Sequence, residues 1–203
     1  MYAARLLYPV EVLGPGKRIG IWLCGCPRRC RGCSNPELWI QEEKYRTSPE
    51  KVYSLVCRIF EKYHVDGFTI SGGDPFYQYD DLRRLLDLIS PLSRDVLVYT
   101  GYTYEEIKDL DLTGIGVLID GEYIEERNNN TPLRGSDNQR IIILDDELKP
   151  LYEEYLKTAV NRIQNFPSGN LYVSVGIHRP DFKKELEKRL PAYGLMEKET
   201  PND

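Results

Sequence analysis

The stretch Cys26-Pro27-Arg28-Arg29-Cys30-Arg31-Gly32-Cys33 places three thiols at C-x3-C-x2-C spacing in one short loop. Thiolates at this spacing can face a common point. A [4Fe–4S] cluster normally takes four cysteine ligands. A loop with three cysteines therefore predicts a cluster held by Cys26, Cys30 and Cys33, with one iron left open to a further molecule.

Two other uses of these cysteines are weaker. A structural zinc site needs four closed ligands, typically a second cysteine or histidine pair, yet His64 and His178 stand singly and Cys57 lies in a helical run. Cys24 would complete such a site only through a strained C-x-C. A disulfide scaffold is disfavoured because five cysteines are an odd number, are sparse in 203 residues and follow no secretory signal.

Composition limits the class of protein. A chain of 203 residues with 41% hydrophobic and 29% charged residues fits one soluble domain or a domain with a short extension. The net charge of −5 argues against nucleic-acid binding, which requires a basic face. No apolar run approaches the roughly 20 residues that span a bilayer. We therefore expect a cytoplasmic protein that binds neither nucleic acid nor membrane.

One basic segment stands apart from this acidic balance. No acidic residue occurs between Val12 and Pro36, whereas five basic residues do: Lys17, Arg18, Arg28, Arg29 and Arg31. Such short runs are commonly solvated loops. The functional interpretation is an electropositive rim that attracts an acidic electron donor such as a flavodoxin.

Apolar periodicity predicts strands that alternate with amphipathic helices. That alternation favours an α/β fold with a parallel sheet and right-handed crossovers. The predicted strands are 5–12, 18–23, 67–70, 95–99, 115–119 and 141–144, and the predicted helices begin near Ser48 or span 80–89, 104–110 and 147–162.

Polar motifs follow the ends of several predicted strands, where ligands gather in such sheets. They are Cys26, Ser71-Gly72-Gly73-Asp74, Thr100-Gly101-Tyr102 and Asp120-Gly121. Taken alone, the Gly-Gly pair is typical of a turn. The carboxylate of Asp120 could bind ribose hydroxyls.

The cysteine loop resembles the signature of the radical S-adenosylmethionine (radical SAM) superfamily. The resemblance implies that the open iron chelates the amino and carboxylate groups of SAM and that the reduced cluster cleaves its sulfonium to a 5′-deoxyadenosyl radical. It also implies that Gly72, Gly73 and Asp74 bind the SAM amino group. The fold it implies is a partial (β/α) barrel of parallel strands with SAM in its mouth.

A narrower resemblance is to the activating enzymes of anaerobic (class III) ribonucleotide reductase. It rests on Gly32 before the third cysteine, the run from Cys33 to Trp39, Tyr99-Thr100-Gly101-Tyr102, and Asp120-Gly121 followed by residues 133–140. It implies that the radical abstracts hydrogen from a glycine Cα of a partner glycyl radical enzyme. The resemblance also suggests candidate contacts to SAM or to the partner's backbone in this chain: Thr100, Asp120, Arg134, Ser136 and Asn138. Residues 128–140 could equally be a polar loop.

The resemblance covers residues 15–144 and says nothing of the rest. We expect a radical SAM core over residues 1–165 with its cluster loop at 24–39, a linker at 166–170, and a short C-terminal αβ extension over 166–203 with a strand at 171–177 and a helix at 181–190. His178 follows that strand, where a lone histidine is more often structural. The extension leaves two alternatives open: a radical SAM enzyme acting on a small molecule or peptide, such as a deazaguanine-forming enzyme, and a non-catalytic iron–sulfur or zinc protein.

Overall fold

The central sheet is mostly parallel, as the sequence predicts, but its two edge strands are antiparallel. The computed structural model describes residues 1–168 and 171–189. Six strands pair in sequence order, and β2 to β5 run parallel to one another. The strands are β1 (Ala3–Val10), β2 (Arg18–Leu23), β3 (Gly67–Gly72), β4 (Val96–Tyr99), β5 (Val117–Asp120) and β6 (Arg140–Ile143).

The antiparallel edges correct the prediction of a wholly parallel sheet. The loop from β1 to β2 is too short for a helical crossover, so the two strands form a hairpin. Residues 121–139 join β5 to β6 with only a single turn of 3₁₀ helix at Glu125–Arg127, so the chain returns antiparallel. β1 and β6 lie at opposite edges of the sheet.

Five helices accompany the strands in the described residues. In α1, Ser48 Oγ accepts a hydrogen bond from the N–H of Lys51 and Pro49 takes the first helical position, as the sequence predicts. Val52 and Val56 are buried, whereas Leu55, three residues after Val52, is 47% exposed. The helices are α1 (Pro49–Phe60), α2 (Tyr79–Ile89), α3 (Tyr104–Ile107), α4 (Lys149–Thr158) and α5 (Phe182–Arg189).

Different elements pack on the two faces of the sheet. Because side chains alternate along a strand, Ile19 and Ile21 of β2 pack toward α1 and α2, while Trp22 packs on the other face. On that second face Trp22 shares a cluster with Val175, and β4 and β5 pack against Tyr152 of α4. The C-terminal part of the chain therefore covers the sheet face opposite α1 and α2.

The C-terminal segment begins earlier than the sequence predicts. α4 ends at Thr158, before the predicted end at residue 162, and Ile163–Ser168 forms a strand, β7, which overlaps the expected linker at 166–170. β7 pairs antiparallel with β8 (Leu171–Gly176), and α5 follows, both close to the predicted ranges. The expected boundary between residues 165 and 166 thus falls inside β7. Residues 169–170, Leu190 and the tail beyond it lie outside the described residues.

Candidate metal and cofactor site

A cavity that is open to solvent lies at the carboxyl ends of the parallel strands. This is where open α/β sheets bind their ligands. Six of the candidate ligand and cofactor residues predicted from the sequence line it: Cys26, Cys30, Cys33, Gly73, Asp74 and Thr100. The strand-end motifs of β2, β3 and β4 therefore meet at one site.

The start of the cysteine loop, directly after β2, is held by main-chain hydrogen bonds. The N–H of Gly25 donates to the carbonyl of Leu38 at 2.8 Å, and the N–H of Cys26 donates to the carbonyl of Trp39 at 3.0 Å. The N–H of Asp74 donates to the carbonyl of Gly25 at 2.8 Å. These bonds hold the segment at Trp39 and the Gly-Gly-Asp motif against the start of the loop.

Gly72 and Gly73 are required by close backbone approach. Gly72 has a φ of +122°, and a Cβ there would lie 2.1 Å from the carbonyl oxygen of Leu23. A Cβ at Gly73 would lie 2.4 Å from the carbonyl oxygen of Gly25. Gly73 lines the cavity, whereas Gly72 lies behind it and fixes the join between β3 and the cysteine loop.

Asp74 is a buried acceptor in the cavity wall. It is 1% exposed, and burial raises the pKa of its carboxyl group. Hydrogen bonds oppose that effect: Oδ1 accepts from the N–H of Phe76 at 3.0 Å and from Thr100 Oγ1 at 2.9 Å, and Oδ2 accepts from the N–H of Gly101 at 2.9 Å. Thr100 therefore orients the carboxylate.

Two of the three thiols, those of Cys30 and Cys33, lie in surroundings that favour the neutral form. Burial raises the pKa of Cys30 to about 11, and Glu122, whose Oε1 is 3.6 Å from Sγ, acts in the same direction. Burial also raises the pKa of Cys33, against the opposing effects of the Asn35 N–H, 3.5 Å from Sγ, and of the nearby Trp39 indole. Thiols must lose their protons to bind metal, so metal binding here releases protons.

The donor set fits an iron–sulfur cluster. Within residues 1–168 and 171–189, no three His, Cys, Asp or Glu side chains are grouped closely enough to hold a single metal ion. Cysteine ligands of a four-iron cluster bind different irons and need not converge on one point. Three thiols share one cavity wall, and the buried Trp39 Nε1 beside Cys33 has no partner of normal hydrogen-bond geometry in this part of the chain.

Asp120 is not part of the cavity wall. It is 1% exposed, and its two oxygens accept hydrogen bonds from the guanidinium of Arg140, at 3.0 Å from Nε to Oδ1. Oδ2 also accepts from the N–H of Tyr104 at 2.7 Å. The structure thus uses the carboxylate to join β5, β6 and α3, and its contact with a ribose stays a prediction.

Arg134, Ser136 and Asn138 likewise lie outside the residues that line the cavity. Their polar groups fold the loop between β5 and β6 by bonding its own main chain. Arg134 donates to the carbonyl of Gln139, Ser136 Oγ accepts from the N–H of Ile124, and Asn138 donates to the carbonyl of Glu122. The members of this loop that reach the cavity are Gly121, Tyr123, Gly135 and Gln139.

The expected basic rim is smaller than the sequence suggests. Arg18 is fully buried at the opposite end of β2. Arg28 stacks over Tyr102 and lies near carboxylates of Glu106 and Glu122, and Arg31 lies near those of Glu125 and Glu126. Most of the positive charge around the loop is therefore balanced by this chain's own acids.

Several residues without a predicted part in cofactor binding contribute to the site. Trp22, Arg28 (predicted only in a basic rim), Trp39 and Tyr99 line the wall. So does a segment of the C-terminal extension: Ser174, Val175, Gly176, Ile177 and His178. The sequence favours a structural role for His178 over contact with the pocket, although its position after a predicted strand is a signal for such contact.

Comparison with known proteins places this geometry in a family. Residues 12–142 match the 4Fe-4S single cluster domain family. The anaerobic ribonucleoside-triphosphate reductase-activating protein of Enterobacteria phage T4 is 33% identical over 141 residues, which are 66% of this chain and 90% of that protein. Proteins of the same name from Vibrio cholerae and Escherichia coli K12 are 32% and 28% identical, over 66% and 65% of this chain and 93% and 92% of their own lengths.

The match includes the cysteine loop and the β3 and β4 strand ends that form the cavity, and it extends through most of each relative. No described helix is both long and apolar enough to cross a membrane. The chain therefore belongs to the 4Fe-4S single cluster domain family and to the family of anaerobic ribonucleoside-triphosphate reductase-activating proteins.

Proposed function

We propose that this chain is a radical SAM activating enzyme that generates a glycyl radical on an anaerobic ribonucleoside-triphosphate reductase. The observation that carries the proposal is the convergence of Cys26, Cys30 and Cys33 with Gly73 and Asp74 on one cavity. The names of its relatives supply the partner.

Each group of residues has a distinct part in this proposal. Cys26, Cys30 and Cys33 hold a [4Fe–4S] cluster, and Gly73 and Asp74 take the amino group of SAM. When bound, the cluster and SAM supply one-electron cleavage of the sulfonium to methionine and a 5′-deoxyadenosyl radical, which removes a hydrogen atom from a glycine Cα of the reductase. The partial barrel expected from the superfamily would place SAM in the mouth of the curved sheet.

The chain's own side chains prepare the site. Thr100 and the N–H of Gly101 hold the Asp74 carboxylate as an acceptor, which suits an ammonium group. Apolar and aromatic side chains in the wall exclude water, which protects a reactive intermediate; they are Leu13, Trp22, Tyr99, Val175 and Ile177.

An acidic one-electron donor of the flavodoxin type belongs to the same proposal. Arg29 is exposed and therefore open to a partner at the cysteine loop, whereas the exposed Arg31 pairs with Glu125 and Glu126. Opposite charge on a donor would steer its approach. A cytoplasmic location also follows, since a reducing compartment keeps the thiols reduced.

The proposal is tested by anaerobic reconstitution with iron and sulfide, followed by SAM, dithionite and a candidate anaerobic reductase. We expect 5′-deoxyadenosine and methionine to be released and a glycyl radical doublet to appear on the reductase in electron paramagnetic resonance. A mixture without SAM is the control. Iron-loaded protein that cleaves no SAM, or that cleaves it only when a small-molecule substrate is added, would contradict the proposal.

A further inference from the structure

The cavity is completed by a part of the chain that the family match does not include. The match to the 4Fe-4S single cluster domain ends at residue 142, and the phage T4 relative aligns with 66% of this chain. The hairpin of β7 and β8 lies beyond residue 142, yet residues 174–178 share the cavity with the three cysteines.

The hairpin is bonded to the core at several points. Gln164 Nε2 donates to the carbonyl of Pro9 at 2.7 Å, and its Oε1 accepts from the N–H of Glu11 at 3.0 Å. Asn128 Nδ2 donates to the carbonyl of His178 at 2.9 Å. Val175 is 3% exposed in a cluster with Trp22. These contacts hold β8 against the cavity as part of its wall.

Ser174 and His178 form a neutral polar pair in that wall. Ser174 Oγ lies 2.9 Å from His178 Nε2, and the imidazole packs on the Phe182 ring with 4.3 Å between centroids. Burial lowers the pKa of His178 to about 4, so the ring is uncharged near neutral pH. Its Nδ1 makes no hydrogen bond to the residues that the structure describes. The pair can therefore offer a donor and an acceptor to a ligand.

The cavity wall contains both charged and uncharged polar groups, and Arg28 and Asp74 are among the charged ones. The buried carboxylate of Asp74 suits a cation. Asp74 lies beside the cysteine loop, because its main-chain N–H donates to the carbonyl of Gly25. The Ser174–His178 pair carries no charge and stands with the apolar Val175 and Ile177. SAM also has both kinds of group: a charged methionine end and a nucleoside end with neutral hydroxyl, amine and ring nitrogen groups.

We propose that Ser174 and His178 bind the nucleoside end of SAM, so that the C-terminal hairpin adds cofactor contacts beyond the family-matched core. The inference rests on the proposed function, because it takes SAM as the ligand. It assigns Ser174 and His178 to binding and gives them no part in the bond cleavage.

The test measures binding without turnover. Reconstituted protein is titrated anaerobically, in the absence of reductant, with SAM, with 5′-deoxyadenosine and with methionine. We expect His178→Ala and Ser174→Ala to weaken binding of SAM and of 5′-deoxyadenosine by about tenfold, the effect of one net hydrogen bond. Methionine affinity and iron content per chain should not change.

The matched control is Tyr172→Ala in the same strand, whose side chain is 66% exposed; we expect it to bind all three ligands as the wild type does. Hydrogen exchange of residues 163–178 shows whether each variant keeps the hairpin, and a variant that loses it should lose 5′-deoxyadenosine binding while it retains methionine binding.

Two outcomes would overturn the inference: unchanged affinity for SAM and 5′-deoxyadenosine in both alanine variants, or an equal loss of methionine affinity. Iron-loaded wild-type protein that binds no SAM would overturn the proposed function as well. SAM binding with the expected variant effects, but without a glycyl radical on the reductase, would contradict the proposed function alone.

Discussion

The two ends of the parallel sheet differ in how completely the chain satisfies its own polar groups. At the amino end, the fully buried Arg18 donates to Asp95 Oδ2 at 2.5 Å and to Thr69 Oγ1 at 2.7 Å, and Tyr152 donates to Asp95 Oδ1 at 2.7 Å. At the carboxyl end, the buried nitrogens Arg28 Nε and Trp39 Nε1 have no partner among the described residues.

Backbone geometry adds one observation to this contrast. Arg29 of the cysteine loop has a positive φ of 50°, which is strained for a residue other than glycine, whereas glycines with positive φ occur at both ends, for example Gly14 and Gly25. Buried polar groups are normally hydrogen-bonded, so unpaired ones and strain together mark a region shaped for a ligand. The amino end stabilises the fold, and the carboxyl end is the place for chemistry. Substitutions at the two ends should therefore affect different measurements.

The largest expected effect is at the cysteine loop. Cys30→Ser removes one of three thiolate ligands, and we expect bound iron to fall to background after anaerobic reconstitution. The measurement is iron and sulfide content per chain together with visible absorbance. Cys57→Ser is the control, because Cys57 lies on α1 and does not line the cavity. Full iron loading of Cys30→Ser would remove the basis for the three-cysteine site.

The amino end should respond in stability. Arg18→Met leaves the Asp95 carboxylate buried without its cation, and breaking such a pair costs about 3–5 kcal/mol of unfolding free energy. Urea denaturation of the metal-free protein measures this. The exposed Arg94, paired with Asp145 and Glu147, provides the control: Arg94→Ala should cost at most about 1 kcal/mol. Similar losses in both variants would mean that the buried network is not a special source of stability.

The sequence predicted the centre of the fold better than its edges. α1 and α2 have clear helical periodicity, and β2 to β5 are short apolar runs between turns, so local signals were sufficient. β7 was missed because Pro167 argues against a strand and its sequence lacks alternation of polar and apolar residues. The antiparallel direction of β6 had a sequence signal, because no helix is predicted between the strands at 115–119 and 141–144, but the alternation of strands and helices elsewhere in the chain favoured a parallel sheet.

The same limit applied to the candidate site. Cys26, Cys30, Cys33 and the β3 and β4 strand ends could be placed together because parallel strands bring their carboxyl ends to one edge. The burial of Asp120 against Arg140 depends on the pairing of β5 with β6. The approach of Ser174 to the cysteines depends on how a distant hairpin packs. Neither contact has a local sequence signal.

A smaller effect, on binding more than on stability, is expected at Asp74. Asp74→Asn replaces one carboxylate oxygen, which accepts hydrogen bonds, with an NH₂ group that would face one of the present donors, such as the N–H of Gly101. A lost or unsatisfied buried hydrogen bond costs about 1–3 kcal/mol. We expect SAM affinity to fall at least about tenfold while iron content is retained. Asp111→Asn, at an exposed turn beside Arg83, is the control. Unchanged SAM affinity would exclude Asp74 from the cofactor site.

The smallest effect tests whether α4 completes the amino end. Tyr152→Phe removes the hydroxyl that donates to Asp95 Oδ1, but that oxygen still accepts from Arg18 Nη2 at 3.0 Å. Because the acceptor keeps a partner, the expected loss is about 1 kcal/mol of unfolding free energy, with iron content unchanged. The exposed Tyr172 supplies the control: Tyr172→Phe should have no effect. If Tyr152→Phe also had none, the α4 hydroxyl would add nothing to the Arg18–Asp95 pair, and the amino end would be stabilised by the family-matched core alone.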